Sequence, residues 1–295
     1  MMPTKTIVIM GPTASGKSDL AILLAQKYNG EIISADSRQV YRGLDIGSGK
    51  VSVDEQALVP HHLLDVASPK RTYNVTHFVR DAKRAIADIR KHGKTPIICG
   101  GTGFWIQALI EDSPFPAVKP NLALRKKLEK FSAEELFGQL KKVDPVRAES
   151  IDSQNKVRLI RALEICEALG TVPVPISHKL SANSYLIIAL NPSQEILYRN
   201  ISVRLDKRLE QGMVAEVEKL RAEGLSWKRL ESFGLEYKYV ALLLENKIEL
   251  QDMKERLEFE IRHYAKRQLT WLRRFEKSHP LHWVTTSAEA EKLIT

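Results

Sequence analysis

The chain has 295 residues, of which 43% are hydrophobic, so it is long enough for one α/β core with an insertion. Lys and Arg number 45 against 36 Asp and Glu, a formal charge of +9 that favours a polyanionic partner such as nucleic acid as much as an incidentally basic protein. Its two cysteines, Cys99 and Cys166, have no metal-ligand spacing and exclude a disulfide scaffold, so we expect a reduced, cytoplasmic location. No apolar run has the length of a signal peptide core or a membrane span.

The first predicted element is a strand at residues 7–10, followed by Gly-Pro-Thr-Ala-Ser-Gly-Lys-Ser at residues 11–18. The G-x-x-x-x-G-K-[ST] spacing is that of a phosphate-binding loop, because its glycines turn backbone N–H groups towards an anion and the next helix adds its positive end. A plain glycine turn is the alternative. The loop predicts a di- or triphosphate ligand, with Ser18 as a ligand of Mg²⁺. The candidate diphosphate-binding residues are Gly11, Thr13, Ala14, Ser15, Gly16, Lys17 and Ser18.

Strands and helices then alternate up to residue 110. Strands are predicted at 31–36, 60–66 and 95–99, and helices at 78–91 and 105–110. This alternation is typical of a parallel sheet with flanking helices, here of the P-loop NTPase-like class. Because ligands gather at the carboxyl ends of such strands, the phosphate loop, residues 36–39 and residues 100–103 are expected to converge on one site.

The pattern changes at a proline-rich stretch, residues 114–120, which marks a linker. Residues 122–169 are predicted to be helical, prolines at 173 and 175 end that region, and a strand returns at 185–190. We therefore predict a catalytic core made of residues 1–114 and 183–295, with a helical insertion at 115–182. From Glu195 onwards the chain is predicted to be mainly helical and is rich in Arg and Lys.

Two polar residues follow predicted strands close to the phosphate loop. Asp36 has the chemistry of a Mg²⁺ ligand or of a base that deprotonates an acceptor, although an Asp at this position also caps turns. Thr102, in Gly100-Gly101-Thr102-Gly103, offers a hydroxyl beside a tight backbone, and the alternative is a simple N-cap.

Arginine pairs lie at helical spacing in both predicted parts of the chain. Arg158 and Arg161 are three residues apart on an insertion helix, an arrangement that suits nucleic-acid phosphates or a solvated surface. Arg204 and Arg208 are four residues apart on the helix after the last strand, where an arginine can cover the phosphate loop. The alternative for Arg204 and Arg208 is a surface pair beside Asp206 and Glu210.

Several motifs, taken together, resemble one family. They run in order through nearly the whole chain, from about residue 7 to residue 275, and they resemble the bacterial tRNA dimethylallyltransferases, also called tRNA isopentenyltransferases. The motifs are residues 11–18, 34–41, 43–50, 59–65, 100–103, 234–237 and 264–273.

The resemblance implies a reaction and its residues. A dimethylallyl group would pass from dimethylallyl diphosphate to N6 of adenosine 37, just 3′ of the tRNA anticodon, with Asp36 as the base. Thr102 and Arg204 would contact the diphosphate, Mg²⁺ would be the cofactor, and the insertion would grip the tRNA anticodon stem-loop. A monomer is also expected. The tRNA contacts that the resemblance implies are Asp36, Ser37, Arg38, Gln39, Arg125, Val157, Arg158 and Arg161.

The insertion departs from the family pattern at one point. The family usually has His-Pro-Asn before the insertion arginine, whereas this chain has Asp152-Ser153-Gln154. Because a carboxylate facing a phosphate is unfavourable, Asp152 is expected to point away from the RNA.

Three other functions share part of the pattern. An adenylate isopentenyltransferase and a small-molecule P-loop kinase would both use the loop and Asp36. An RNA-binding protein could use the loop as a nucleotide switch. The helical insertion and the excess of basic residues favour the tRNA enzyme, in which the loop would hold a leaving diphosphate.

Overall fold

The fold is built on a parallel sheet. The structure is a computed structural model and describes residues 5–112, 115–173 and 184–294. The strands within these residues are β1 (Thr6–Met10), β2 (Gly30–Ser34), β3 (His61–His62), β4 (Thr95–Gly100), β5 (Tyr185–Leu190) and β6 (His282–Val284). All pair in parallel, in the order β3-β2-β4-β1-β5-β6. The central strands β1, β2 and β4 are buried along their whole length, as their apolar, β-branched residues require.

Helices connect and cover the strands. The first four are α1 (Lys17–Lys27), α2 (Val53–Leu58), α3 (Val75–Lys91) and α4 (Gly103–Ile110). The next four are α5 (Leu122–Leu128), α6 (Ala133–Val143), α7 (Pro145–Ser150) and α8 (Lys156–Leu169). After β5 come α9 (Gln194–Glu210), α10 (Met213–Ala222), α11 (Trp227–Ser232), α12 (Leu235–Leu244), α13 (Leu250–Glu276) and α14 (Ser287–Lys292). None of the helices in the described residues combines the length and the apolarity that a membrane span requires.

The register of the sheet aligns the ends of three neighbouring strands. Met10 of β1 pairs with Gly100 of β4, and Cys99 of β4 pairs with Ser34 of β2. The loops after β1, β2 and β4 therefore leave the sheet side by side. Their predicted convergence is confirmed, and it follows from strand order rather than from closeness in sequence.

The chain divides into two compact units. The core unit is Met1–Glu111 with Lys179–Thr295, and the helical unit is Asp112–His178. The boundaries predicted from the sequence were 114/115 and 182/183, so each lies a few residues from the boundary between the units. The helical unit has its own apolar core, in which Leu136, Leu140 and Leu159 are completely buried.

The structure corrects some predicted elements. The third strand was predicted over residues 60–66, but only His61–His62 pairs with β2, because the chain turns through positive φ at Leu63 and Asp65. Strand β6 lies within the C-terminal region that was predicted to be mainly helical. Of the predicted linker prolines, Pro114 and Pro175 lie outside the described residues.

Candidate active site

The phosphate loop lies at one end of a cavity of about 560 Å³ in the core unit. Ala14 and Gly16 both have left-handed backbones, with φ of 62° and 86°, which turns the loop around a central point. Helix α1 starts at Lys17, and its N-cap residue Gly16 makes no side-chain capping bond, so the first N–H groups of the helix stay available to an anion. Residues 13–18 all line the cavity.

Not every loop residue predicted to bind diphosphate faces the cavity in the same way. Gly11 is absent from the lining and is packed so that a Cβ there would lie 2.7 Å from Ser15 Oγ. The backbone N–H of Thr13 donates to Gln268 Oε1 over 2.8 Å, so this N–H is not free for a phosphate. Ser15 Oγ is buried without a hydrogen-bond partner in the described part of the chain, as expected of a group that awaits a ligand.

Three cations line the cavity without a carboxylate partner among the described residues: the partly buried Lys17 and Arg204, and the exposed Lys207. Burial lowers the pKa of Lys17, whose ammonium donates to the Pro12 carbonyl over 3.2 Å. Burial, followed by the neighbouring charge of Arg208, lowers the pKa of Arg204 to about 10. Together these cations create a region of positive potential suited to a polyanion.

Helix α9 provides the opposite wall of the cavity. Asn200, Arg204, Lys207 and Arg208 lie at helical spacing along its inner face, and Asn200 Nδ2 donates to the Ala14 carbonyl over 3.2 Å. Arg208 differs from Arg204 because its Nη1 binds Glu236 Oε1 over 2.6 Å. The sequence predicted an arginine over the loop from the Arg204 and Arg208 spacing, and the structure places Arg204 on the lining without a carboxylate.

Asp36 follows β2 and lines the same cavity. Its Oδ1 accepts from the N–H of Arg38 over 2.8 Å and from the N–H of Gln39 over 3.4 Å, so the turn-capping alternative describes one of its two oxygens. In the described residues Oδ2 has no hydrogen bond, which leaves it free for a ligand proton. Burial and then the charge of Asp36 raise the pKa of Tyr264, on α13, to about 12.

Thr102 joins the loop after β4 to the Asp36 loop. It occupies the N-cap position of α4, but its side chain makes no capping bond. Instead its Oγ1 accepts from the Ser37 N–H over 3.1 Å, and its own N–H donates to the Ala35 carbonyl over 3.2 Å. An accepting hydroxyl can still donate its proton, so Thr102 keeps one donor for a substrate oxygen. Thr102 is not part of the cavity lining itself.

A segment at residues 43–52, which we call the strap, lines the same cavity with its residues 48–52. Glu216 on α10 accepts the N–H groups of Asp45 (2.9 Å), Ile46 (2.6 Å) and Gly47 (3.1 Å), and also the hydroxyl of Tyr237 (2.8 Å). One carboxylate thus fixes three successive backbone groups. The sequence reasoning missed Glu216, because nothing near it in the chain marks it.

The predicted Mg²⁺ ligand Ser18 shares the cavity with Asp36 and Asp19. Within the described residues there is no group of three or more His, Cys, Asp or Glu placed to bind a metal ion. Mg²⁺ commonly takes one or two protein oxygens and completes its shell with water and substrate phosphates. The hydroxyl of Ser18 therefore fits an ion that arrives with a diphosphate, whose oxygens would supply further ligands.

Family models match most of the chain. The model described as IPP transferase matches residues 39–275, and the model described as isopentenyl transferase matches residues 4–65. The chain belongs to the IPP transferase family.

Similar proteins carry the family's name. A tRNA dimethylallyltransferase of Geotalea uraniireducens is 41% identical over 285 residues, covering 96% of this chain and 93% of that protein. A tRNA dimethylallyltransferase of Treponema denticola is 42% identical, covering 95% of both chains. These relatives bear out the resemblance seen in the sequence motifs.

Solved structures of the family share this fold. The full-length tRNA isopentenylpyrophosphate transferase of Bacillus halodurans is 34% identical, with a TM-score of 0.70 and coverage of 96% of this chain and 90% of that one. A eukaryotic dimethylallyltransferase, described as acting on tRNA, is 28% identical, with a TM-score of 0.77 and coverage of 97% and 75%. The P-loop NTPase-like fold class predicted from the sequence is confirmed.

Two arginines of the helical unit that the family resemblance links to tRNA have a protein partner. Arg125 and Arg161 both bind Glu164, whose side chain is only 1% exposed, and Glu164 also accepts the N–H of Asn121 over 2.6 Å. Although burial acts to raise it, hydrogen bonds from Arg125 and then Arg161 lower the pKa of Glu164 to about 2. The sequence held a signal for one contact, since Glu164 lies three residues after Arg161.

The other family-implied tRNA contacts are placed differently. Val157 and Arg158 are exposed at the start of α8. Asp152, the departure from the family pattern, is exposed, and its Oδ1 accepts the N–H of Gln154 over 3.1 Å. In the core unit, Arg38 lies over the Phe233 ring with 5.9 Å between guanidinium and centroid. Gln39 accepts from Ser34 Oγ and donates to the Gly49 carbonyl, both over 3.1 Å.

Proposed function

We propose that this chain transfers a dimethylallyl group from dimethylallyl diphosphate to N6 of adenosine 37, next to the anticodon in the tRNA anticodon stem-loop. One observation carries the proposal. The partly buried Lys17 of the phosphate loop and Arg204 of α9 lack carboxylate partners in the described part of the chain, and both line one cavity with the Asp36 carboxylate. A diphosphate supplies the charge that Lys17 and Arg204 lack. A carboxylate in the same cavity supplies the base for an incoming amine.

The chemistry requires these two parts. The exocyclic amine of adenine is a weak nucleophile because its lone pair is delocalised into the ring. As its nitrogen bonds to C1 of the dimethylallyl group, the C1–O bond breaks, diphosphate leaves with the bonding pair, and one amine proton passes to Asp36. Donors that are already aimed at the developing negative charge stabilise the transition state.

The residues fit these roles by position. Asp36 has one oxygen held by backbone N–H groups, so its second oxygen is presented in a fixed orientation. Lys17, Arg204 and the N–H groups of residues 14–18 would bind the departing diphosphate. The hydroxyl of Thr102, which is hydrogen-bonded to the Ser37 N–H, would donate to the same group. Mg²⁺, when bound at Ser18, would supply further positive charge to the leaving group.

The helical unit supports an RNA substrate. Lysines and Arg158 are exposed on it, and phosphate contacts of this kind give affinity without sequence preference. An adenine in a stacked loop must also be turned out to reach an enclosed carboxylate. We propose that the exposed cations of this unit grip the tRNA, that Ser37, Arg38 and Gln39 lie beside the target nucleotide, and that the enzyme acts as a monomer. The exposed cations in the described part of this unit are Lys119, Lys126, Lys127, Lys130, Lys141, Lys142 and Arg158.

One assay separates this function from its alternatives. The protein is incubated with labelled dimethylallyl diphosphate and Mg²⁺, and with either tRNA, AMP, or ATP plus small acceptors. Label transfer to tRNA alone supports the proposal, and transfer to AMP or ATP assigns an adenylate isopentenyltransferase. Consumption of ATP without prenyl transfer would assign a kinase and overturn the proposal.

A variant tests the base. Asp36→Ala is expected to abolish turnover while tRNA still binds, because the substitution removes the proton acceptor and leaves the exposed cations in place. Asp88→Ala, which removes an exposed carboxylate on α3 away from the cavity, serves as the control. If kcat of Asp36→Ala equals that of the wild type, Asp36 is not the base.

A further inference from the structure

One face of α13 contacts the edge of the sheet where the site loops emerge. Gln268 bonds to the loops after β1 and β4, and Trp271 packs against Gly103, the first residue of α4. On the same helix, burial and then the charge of Asp36 raise the pKa of Tyr264. Through Gln268 and Trp271 this helix contacts the loop after β1, the loop after β4 and the start of α4.

Gln268 is the residue of this face that joins two loops directly. Its Oε1 accepts from the Thr13 N–H over 2.8 Å, and its Nε2 donates to the Gly101 carbonyl over 3.0 Å. The two backbone partners fix which end of the amide is which, since only the oxygen can accept from an N–H. Gln268 is 9% exposed, so both bonds are shielded from water.

The fit around this amide is close. A Cβ added to Gly101 would lie 2.5 Å from Gln268 Nε2, and one added to Gly103 would lie 2.5 Å from the Trp271 ring. A side chain at Gly103 would meet the Trp271 ring, and one at Gly101 would displace the end of the Gln268 side chain, so both glycines favour the close approach of α13. The glycine-rich sequence after β4 serves the approach of this helix as well as the turn itself.

We propose that Gln268 is a positioning residue that sets the distance between the diphosphate loop and the loop of Thr102. The proposal rests on the function proposed above. The first loop would hold the leaving group, and the second is bonded through Thr102 to Ser37, beside the base Asp36. Gln268 bridges the two, so it fixes where the leaving group lies relative to the base.

Loss of the Gln268 bridge is expected to slow the chemical step. Group transfer needs the acceptor nitrogen, C1 and the leaving oxygen in line, and a misplacement of about 1 Å costs about 100-fold in rate. Binding of the diphosphate itself depends on Lys17, Arg204 and the N–H groups of residues 14–18. The Thr13 N–H is already committed to Gln268, so losing the amide removes no direct phosphate donor.

The test compares two variants with a matched control. Gln268→Met keeps the length of the side chain and removes both hydrogen bonds, whereas Gln268→Glu keeps an acceptor for Thr13 and places an oxygen against the Gly101 carbonyl. Gln251→Met is the control, because Gln251 is exposed on the same helix and bonds within it to Glu255. Each protein is assayed for kcat and KM with dimethylallyl diphosphate and tRNA, and for its Kd for inorganic pyrophosphate.

Amide hydrogen exchange in segments 11–18 and 100–103 provides a readout that needs no activity. Gln268→Met is expected to lower kcat by about 10- to 100-fold, leave the pyrophosphate Kd within about threefold, and speed exchange in both segments. Gln268→Glu is expected to speed exchange mainly in segment 100–103 and to lower kcat at least as much. The control should match the wild type in every measurement.

Three results would overturn the positioning role. They are a kcat of Gln268→Met within about threefold of the wild type, a pyrophosphate Kd weakened in the same proportion as kcat/KM, and unchanged exchange in both segments. If the wild type itself transfers no prenyl group to tRNA, the proposed function fails instead. The exchange and pyrophosphate measurements would then still decide whether Gln268 holds the two loops.

Discussion

Each unit contains a site with partly buried cations, and the two sites differ in whether a carboxylate pairs with those cations. In the helical unit, Arg125 and Arg161 are 35% and 34% exposed and share the buried carboxylate of Glu164. In the core unit, Lys17 and Arg204 are also partly buried, and in the described residues neither has a carboxylate partner. The same residue type is thus satisfied by the protein in one place and left for a ligand in the other.

The difference explains how the chain separates stability from function. Breaking a paired cluster costs folding free energy because it leaves a buried charge alone. An unpaired, partly buried cation instead lowers the folding stability of the ligand-free protein, and the binding of an anion offsets that loss. The lowered pKa of Arg204, set by burial and by Arg208, is the sign of that cost.

The largest expected effect is a loss of catalytic activity when a cation of the core-unit site is replaced. Arg204→Gln is expected to lower kcat by about 10²- to 10³-fold, because one donor to the leaving group is lost in the transition state. Steady-state kinetics with dimethylallyl diphosphate and tRNA measures it. A kcat unchanged by this substitution would remove Arg204 from the site and break the contrast.

The next effect concerns stability. Glu164→Gln is expected to lower the free energy of unfolding by about 3 kcal/mol, because two partly buried guanidinium groups lose their shared charge. Denaturant unfolding of the whole chain, followed by helical circular dichroism, measures it. The exposed Glu167→Gln, on the same helix, is the control, and equal midpoints for the two variants would refute a structural role for Glu164.

The same carboxylate has a defined pH dependence. Its folded pKa of about 2 lies below the usual value, so its stabilisation is complete above the unfolded pKa and is lost as pH falls from about 4.5 towards 2. Acid titration of unfolding should therefore show a smaller loss of stability between these values in Glu164→Gln than in the wild type. Parallel curves for the two proteins would contradict the pairing.

A smaller effect of opposite sign is expected in the core unit. Arg204→Met should raise the stability of the ligand-free protein by about 1 kcal/mol after allowing for solvent screening, because folding disfavours the charged guanidinium below its pKa of about 10. Thermal unfolding without ligand should show a midpoint higher by about 2–4 °C. A lower midpoint would mean that Arg204 has a stabilising partner.

The smallest expected effect belongs to Arg158, one of the exposed cations of the helical unit. Arg158→Ala should weaken tRNA binding and reduce the slope of log K against log salt by about one, because one phosphate contact is lost. Lys83→Ala, in the core unit, serves as a comparison. Identical salt slopes for Arg158→Ala and the wild type would show that Arg158 lies outside the RNA interface.

The sequence predicted what local patterns control. The strand before the phosphate loop, the loop itself and the helix after it are adjacent in the chain, and the parallel-sheet rule then brought Asp36 and Thr102 to the same edge. Strand β6 was missed because three residues, His282–Val284, join the sheet only through pairing with distant β5. Helix α2 is six residues long and has no buried side chain, so it lacks an apolar pattern.

The candidate site shows the same limit. Gln268 lies 255 residues from Thr13, and Glu216 lies 171 residues from Asp45. Gln268 belongs to the motif at residues 264–273, but nothing local shows which loops its amide joins, and no local pattern marks Glu216. The local sequence pattern places both Arg161 and Arg204 on helices and does not show which of them has a protein partner. Only their contacts separate them, because Glu164 faces Arg161 and no carboxylate in the described residues pairs with Arg204.

The most direct test of this contrast is calorimetric titration of inorganic pyrophosphate into the wild type, Arg204→Gln and Arg161→Gln. Arg204→Gln is expected to weaken pyrophosphate binding by about 10- to 100-fold, because it removes a charge-assisted hydrogen bond that contributes about 1.5–3 kcal/mol. Arg161→Gln should bind within about twofold of the wild type. Equal affinities for Arg204→Gln and the wild type, or an equal loss in both variants, would contradict the claim that the unpaired cations hold the diphosphate.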